Sequence, residues 1–123
     1  MRALVIDDSR AMRAILTRQL SALGFDVAQA FDGRDALDLL GTGYVPDVAL
    51  VDWNMPRLDG LSFIKAVRAR PELREVTLMM VTTESEHDKI VRALAAGAHE
   101  YVIKPFTDEV IADKLALLGL VGV

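Results

Sequence analysis

The sequence predicts a doubly wound α/β domain: a five-stranded parallel sheet with five helices on its two faces, a three-layer sandwich. Three observations predict it. Five short apolar runs rich in branched residues recur, at Ala3 to Ile6, Val27 to Ala30, Val48 to Val51, Val76 to Val81 and Tyr101 to Ile103, each short enough for a strand buried on both faces. Segments of helical period separate them, and such alternation implies right-handed crossovers and a parallel sheet covered on both sides. Finally, 123 residues with 52% hydrophobic and 26% charged side chains suit one compact soluble domain, large enough to bury a substantial core.

The first strand runs into Asp7-Asp8, and Ser9 stands where it can cap a helix carrying Met12, Ile15, Leu16, Leu20 and Leu23 at three- and four-residue spacings. Gly24 stops that helix. After the second strand, Ala36, Leu37, Leu39 and Leu40 mark a second helix ending near Gly41; the Gly41-Thr42-Gly43 stretch lacks the rest of a dinucleotide or P-loop fingerprint and reads as a helix end. The third strand ends on Asp52. Leu61, Phe63, Ile64 and Val67 form a third helix that closes before Pro71. The fourth strand runs into Thr82, and Ile90, Val91, Leu94 and Ala95 make a fourth helix closed by Gly97. The fifth strand runs into Lys104-Pro105, and Thr107, Ile111, Leu115 and Leu118 make a capped fifth helix, without a capping-box acid because Val110 holds that place.

Charge and composition exclude several function classes. The formal charge is −4 and the 14 Lys and Arg residues are scattered, which argues against a nucleic-acid partner. No apolar stretch approaches the roughly 20 residues of a membrane helix. The absence of cysteine excludes disulfides and thiolate metal sites. Met1-Arg2-Ala3-Leu4 has no signal-peptide layout, so the expected location is cytoplasmic, with no membrane insertion.

In open parallel sheets, ligands bind beyond the carboxyl ends of the strands. Asp7, Asp8, Asp52, Thr82 and Lys104 each follow a strand's last apolar residue. Carboxylates gathered there repel one another unless a cation intervenes. Magnesium suits such a site, because it takes one or two carboxylates along with water and phosphate oxygens. Asp52, single and placed before an irregular loop, is the candidate nucleophile for an acyl phosphate; Asp7 and Asp8 form a pair suited to the metal. Lys104 supplies a compact charge for a phosphoryl oxygen, and Thr82 a hydroxyl, with Thr83 offering a second one beside it. Read singly, the acids are helix caps or turn residues and Lys104 a loop residue; their joint placement favours chemistry. Trp53 is expected to pack beside Asp52 and to report on it by fluorescence. His87 and His99 have no partner evident in sequence and read as surface residues, and Met55, Met79 and Met80 read as loop and core filler.

Asp7-Asp8, Asp52, Thr82 and Lys104-Pro105, spaced through a five-fold βα chain, closely resemble the receiver domain of two-component response regulators across residues 1–123. More narrowly, Asp52-Trp53-Asn54-Met55-Pro56 with Asp59-Gly60, then Thr82-Thr83-Glu84, and Tyr101 before Lys104-Pro105-Phe106, are similar to the CheY-like chemotaxis-type members. The resemblance implies strand order 2-1-3-4-5. It implies that Asp52 accepts a phosphoryl group from a sensor histidine kinase. Asp7, Asp8, Asp52 and the main-chain carbonyl of Asn54 are implied to hold magnesium, with manganese as a substitute. Thr82 and Lys104 would engage the phosphoryl group, beside a cis peptide at Pro105. Tyr101 would turn inward as Thr82 shifts, altering the face of the fourth helix, fifth strand and fifth helix that a target protein reads. Asn54 and Glu84 would flank the phosphoryl group and tune dephosphorylation, and the phosphoryl state is expected to be short-lived.

The expected role is a phosphorylation-switched signalling module that assists its own phosphorylation and dephosphorylation, not an enzyme in its own right. No output domain follows the fifth helix, so the action is expected to pass through another protein. The alternative is a phosphorelay intermediate that hands the phosphoryl group to a histidine phosphotransfer protein. An aspartyl-nucleophile phosphatase fits less well, since Arg10 stands where its second acid would follow Asp8. Ser85-Glu86-His87-Asp88 is mostly acidic where enteric chemotaxis regulators carry basic residues, which argues against the flagellar motor as reader. The apolar end, Leu118 to Val123, is expected to pack on the domain or on a second copy; a monomer is the expectation and a dimer its alternative.

Overall fold

The structure is a computed structural model that describes residues 1–121. Five strands, β1 (Arg2–Ile6), β2 (Asp26–Ala30), β3 (Val48–Val51), β4 (Thr77–Thr82) and β5 (Glu100–Ile103), alternate with α1 (Arg10–Ala22), α2 (Gly33–Leu40), α3 (Gly60–Arg68), α4 (His87–Ala96) and α5 (Asp108–Leu117). All neighbouring strands pair in parallel in the order β2-β1-β3-β4-β5. The winding reverses between β1 and β3, where Ile6 pairs with Val51. That register sets Asp7 and Asp52 side by side at the carboxyl edge, tied by Asp52 N–H donating to the Ile6 carbonyl at 3.0 Å.

Alternate strand residues face opposite layers. Leu4, Ile6, Ala49, Val51, Leu78 and Met80 pack with Ala36 and Leu37 of α2, Phe63, Ile64 and Val67 of α3, and Ala93 of α4. Ala3, Val5, Leu50, Met79 and Val81 pack instead with Leu16 and Leu20 of α1 and Ile111 and Leu115 of α5. Met79 and Met80 thus fill the two cores, while Met55 is half-buried against the first. Leu118, Leu120 and Val121 rest on the second core. The apolar terminus therefore packs on its own domain as far as Val121, and the expectation for Gly122 and Val123 falls outside the described residues. Among the described residues, no helix is long and apolar enough to cross a membrane.

Several boundaries differ from the apolar pattern. β1, β2 and β5 each take in a preceding polar residue, Arg2, Asp26 or Glu100, because ladder pairing depends on the backbone and not on side-chain polarity. β4 begins at Thr77, one residue after the apolar run, since the Val76 amide is spent on the Leu73 carbonyl at 3.1 Å in the turn before it. Thr82 is the last residue of β4, at the strand end where the sequence places it.

Caps follow local chemistry. Ser9 Oγ accepts the Met12 amide at 3.2 Å, and Asp32 and Asp59 cap α2 and α3 in the same way. Thr107 holds the N-cap position of α5 in extended backbone, but its hydroxyl makes no capping bond, which corrects the expected cap. Gly97 ends α4 at φ 126°, and a Cβ there would come 2.7 Å from the Arg68 side chain. The Arg68 guanidinium uses that space, donating to the Gly97 carbonyl at 2.8 Å.

Ile64 is fully buried in the first core whereas Leu117 is 78% exposed. Ile64→Ala is expected to lose about 3 to 4 kcal/mol of stability in urea denaturation, and Leu117→Ala less than about 0.5 kcal/mol. Equal losses would contradict this placement of the core.

Candidate functional site

The carboxyl ends of β1 and β3 bring three acids together. Asp7 is buried, Asp8 exposed and Asp52 between the two, and one oxygen from each lies within 4.8 Å of the others. Lys104, the residue after β5, extends its Nζ to 2.8 Å from Asp7 Oδ2 and 3.4 Å from Asp52 Oδ2. Asp7 Oδ1 accepts the Ser9 amide at 2.8 Å, so one carboxylate serves the helix turn with one oxygen and the pocket with the other. Arg13 Nη1 donates to the Asp7 carbonyl at 2.7 Å. Three carboxylates against one ammonium leave a formal charge that a divalent cation balances, and an all-oxygen donor set suits a hard ion.

Thr82 is fully buried and Thr83 exposed, which separates the two hydroxyls. Thr82 Oγ1 accepts the Glu84 amide at 3.4 Å, and the Thr82 carbonyl accepts the Lys104 amide at 2.9 Å. The Lys104–Pro105 peptide is cis. Tyr101 is half-buried, its hydroxyl donating to the Glu84 carbonyl at 2.6 Å. Burial, then the Glu84 and Asp52 charges, push its phenol up to about 12.

Asn54 lies on the loop after β3, and its Nδ2 donates to Glu84 Oε1 at 2.8 Å. Lys89 of α4 reaches the same oxygen at 3.3 Å. The Asn54 bond, and after it the Lys89 bond, hold the Glu84 carboxyl below the usual range. Trp53 is buried in the first core, with Lys89 Nζ 5.3 Å and Arg92 Cζ 5.9 Å from its ring centroid.

His87 and His99 are both exposed, as expected, and His99 has partners that the sequence does not announce. Its Nδ1 accepts the Leu78 amide at 3.2 Å and faces Arg68 Nη2 at 3.3 Å. Burial, then the Arg68 charge, lower its pKa. Both partners are remote in sequence, so no local pattern announces them.

Sequence reasoning also missed the pair that holds the loop after Asp52. Asp32 is fully buried and takes the Arg57 guanidinium on both oxygens, at 2.7 and 3.0 Å. Its Oδ1 caps α2 as well, through the Asp35 amide at 2.9 Å. Arg57 sits at φ 65°, a left-handed conformation unfavourable to its side chain, so the ion pair accompanies a locally strained loop. The loop then folds back on the site, where a Cβ on Gly60 would collide with the Asp52 carbonyl. One available signal pointed to Asp32: it follows the apolar residue that ends β2 by two positions, at the same sheet edge as Asp7 and Asp52.

A family described as the response regulator receiver domain matches residues 3–116. The chain is 40% identical over 119 residues to the chemotaxis protein CheY1 of Helicobacter pylori, covering 96% of each. It is 42% identical over 116 residues to a CheY homolog of Campylobacter jejuni, covering 94% of this chain and 89% of that one. Its fold matches the chemotaxis protein CheY4 of Vibrio cholerae with a TM-score of 0.87 at 34% identity, over 94% of this chain and 96% of the other.

Arg57 holds the Asp32 carboxyl below its ordinary value. The pair therefore contributes stability that is fully present above the unfolded carboxylate range, near pH 4, and lost as the pH falls through the lower folded value. Urea denaturation of wild type and Arg57→Ala is expected to show a stability gap at about pH 7 that narrows below about pH 4. A gap that stays constant into acid would contradict the pairing.

Proposed function

Because the chain belongs to the response regulator receiver domain family, we propose that it is a two-component signalling module whose signal is written on Asp52. The phosphoryl group comes from the phosphohistidine of a sensor histidine kinase. The observation that carries this reading is the Lys104 ammonium set between Asp7 and Asp52, beside three acids whose oxygens converge.

Asp7, Asp8 and Asp52, with the main-chain carbonyl of Asn54, would hold magnesium, or manganese in its place, since their donors are all hard oxygens. When bound, the ion offsets the charge of the acids and of the arriving phosphoryl group. An Asp52 carboxylate oxygen attacks phosphorus, the P–N bond of the phosphohistidine breaks with its electron pair returning to the imidazole, and an acyl phosphate forms. Lys104 shares its charge with a phosphoryl oxygen. Thr82 accepts only a long bond through its oxygen, which leaves its proton for another phosphoryl oxygen.

Movement of Thr82 toward that group pulls on Glu84, and Glu84 carries the Tyr101 hydroxyl on its carbonyl. Tyr101 thereby couples the pocket to the face of α4, β5 and α5, where Val91, Leu94 and Ile103 are exposed apolar residues suited to a protein partner. Asn54 and Glu84, bonded to each other, flank the acyl phosphate and tune how fast water reaches it, within a lifetime that is short. The module acts in the cytoplasm as a monomer, in a chemotaxis-type pathway, and does its work through the partner it binds.

Trp53 fluorescence tests the reading. Magnesium is expected to change the signal, beryllofluoride to change it further, and Asp52→Asn to abolish the second response. Asp8→Asn is expected to weaken magnesium by about tenfold or more. A beryllofluoride response that survives Asp52→Asn would sink the proposal.

A further inference from the structure

Glu84 engages its amide, its carbonyl and one carboxylate oxygen. Its amide donates to Thr82 Oγ1 at 3.4 Å, its carbonyl accepts the Tyr101 hydroxyl at 2.6 Å, and its Oε1 takes Asn54 Nδ2 at 2.8 Å and Lys89 Nζ at 3.3 Å. Asn54 lies two residues beyond Asp52, and Glu84 two beyond Thr82. β3 and β4 are neighbours, so the Asn54–Glu84 bond is a crosspiece between the loops leaving two adjacent strands, at the edge where Asp52 stands. Lys89 fastens that crosspiece to α4.

The helix itself does not explain this lysine. Lys89 is the third residue of α4, inside the first turn, where the helix dipole disfavours a cation. Its side chain is 28% exposed and Glu84's is 24% exposed, so the pair is partly withdrawn from water and less screened than a surface pair. The ammonium also lies 5.3 Å from the Trp53 ring centroid, a second attraction that holds it in place.

We propose that Lys89 is a positioning residue that prolongs the phosphoryl state: by anchoring the Glu84 carboxylate to Asn54, it keeps the crosspiece closed beside Asp52. The inference rests on the reading of Asp52 as phosphoryl acceptor. Hydrolysis adds water to phosphorus: a P–O bond forms, the bond from phosphorus to the Asp52 oxygen breaks, and the products are the carboxylate, inorganic phosphate and a proton. A phosphoryl group on Asp52 also adds negative charge near Glu84. Without Lys89, the Glu84 carboxylate is repelled toward solvent, Asn54 loses its partner and water gains access. With Lys89, the carboxylate stays.

The full chain is phosphorylated with acetyl phosphate and magnesium, the donor is removed, and phosphate release is timed. Lys89→Ala, and Lys89→Gln, which keeps reach without charge, are expected to hydrolyse at least about threefold faster than wild type, and Lys89→Arg less than about threefold faster. In a Glu84→Gln background the Lys89→Ala effect is expected to fall below about threefold, since a residue acting through Glu84 has nothing left to act on. Acceleration below that threshold in Lys89→Ala or Lys89→Gln, failure of Lys89→Arg to restore the rate, or full acceleration retained in Glu84→Gln would overturn the role of Lys89. A wild-type chain that takes no phosphoryl group would instead overturn the Asp52 reading.

Discussion

The Lys104 ammonium, 2.8 Å from Asp7 and 3.4 Å from Asp52, is the interaction on which the rest of the site depends. The register of β1 and β3 leaves no freedom in where the acids stand, because pairing Ile6 with Val51 places the following aspartates together. Like charges so close, and partly withdrawn from water, repel strongly. Lys104 relieves that repulsion from β5, reaching across the end of β4, and the Thr82 carbonyl fixes its backbone at 2.9 Å. Deleting the cation would leave the buried Asp7 and the half-buried Asp52 uncompensated, a costlier state than never having had the pair.

Around this centre the two sides of the pocket are held differently. Toward β1 and β2 the contacts are short and often charged: the Asp7 carboxylate on the Ser9 amide, Arg13 on the Asp7 carbonyl, and Arg57 on both oxygens of a fully buried Asp32. Toward β4 they pass through Glu84, whose amide meets Thr82 at 3.4 Å and whose half-buried carboxylate is held by Asn54 and Lys89. One set of contacts surrounds the acids, and the other runs from the end of β4 to α4 and β5.

How much of this the sequence makes legible follows from the range of each interaction. Apolar runs announce strands because burial on both faces demands them, and the strand-end rule picks out Asp7, Asp8, Asp52, Thr82 and Lys104 before any coordinate is known. Ser9 reads as a cap because its partner lies three residues on. The start of β4 escapes because Val76 is apolar yet its amide belongs to a turn. The Asp32–Arg57 pair spans 25 residues and the Arg68–His99 contact 31, and no periodicity encodes such separations. Lys89 is near Glu84 in sequence, but whether a loop acid meets a helix lysine depends on where α4 begins, which propensity places poorly.

The central claim is that the Asp52 carboxylate forms the covalent bond. Its most direct test is to incubate the full chain with acetyl phosphate and magnesium, reduce the product with borohydride, and map the peptides by mass spectrometry, since borohydride converts an aspartyl phosphate to homoserine. The account predicts homoserine at position 52 alone, dependent on magnesium. Homoserine at position 7 or 8, or none at all under conditions that release phosphate from the donor, would contradict it.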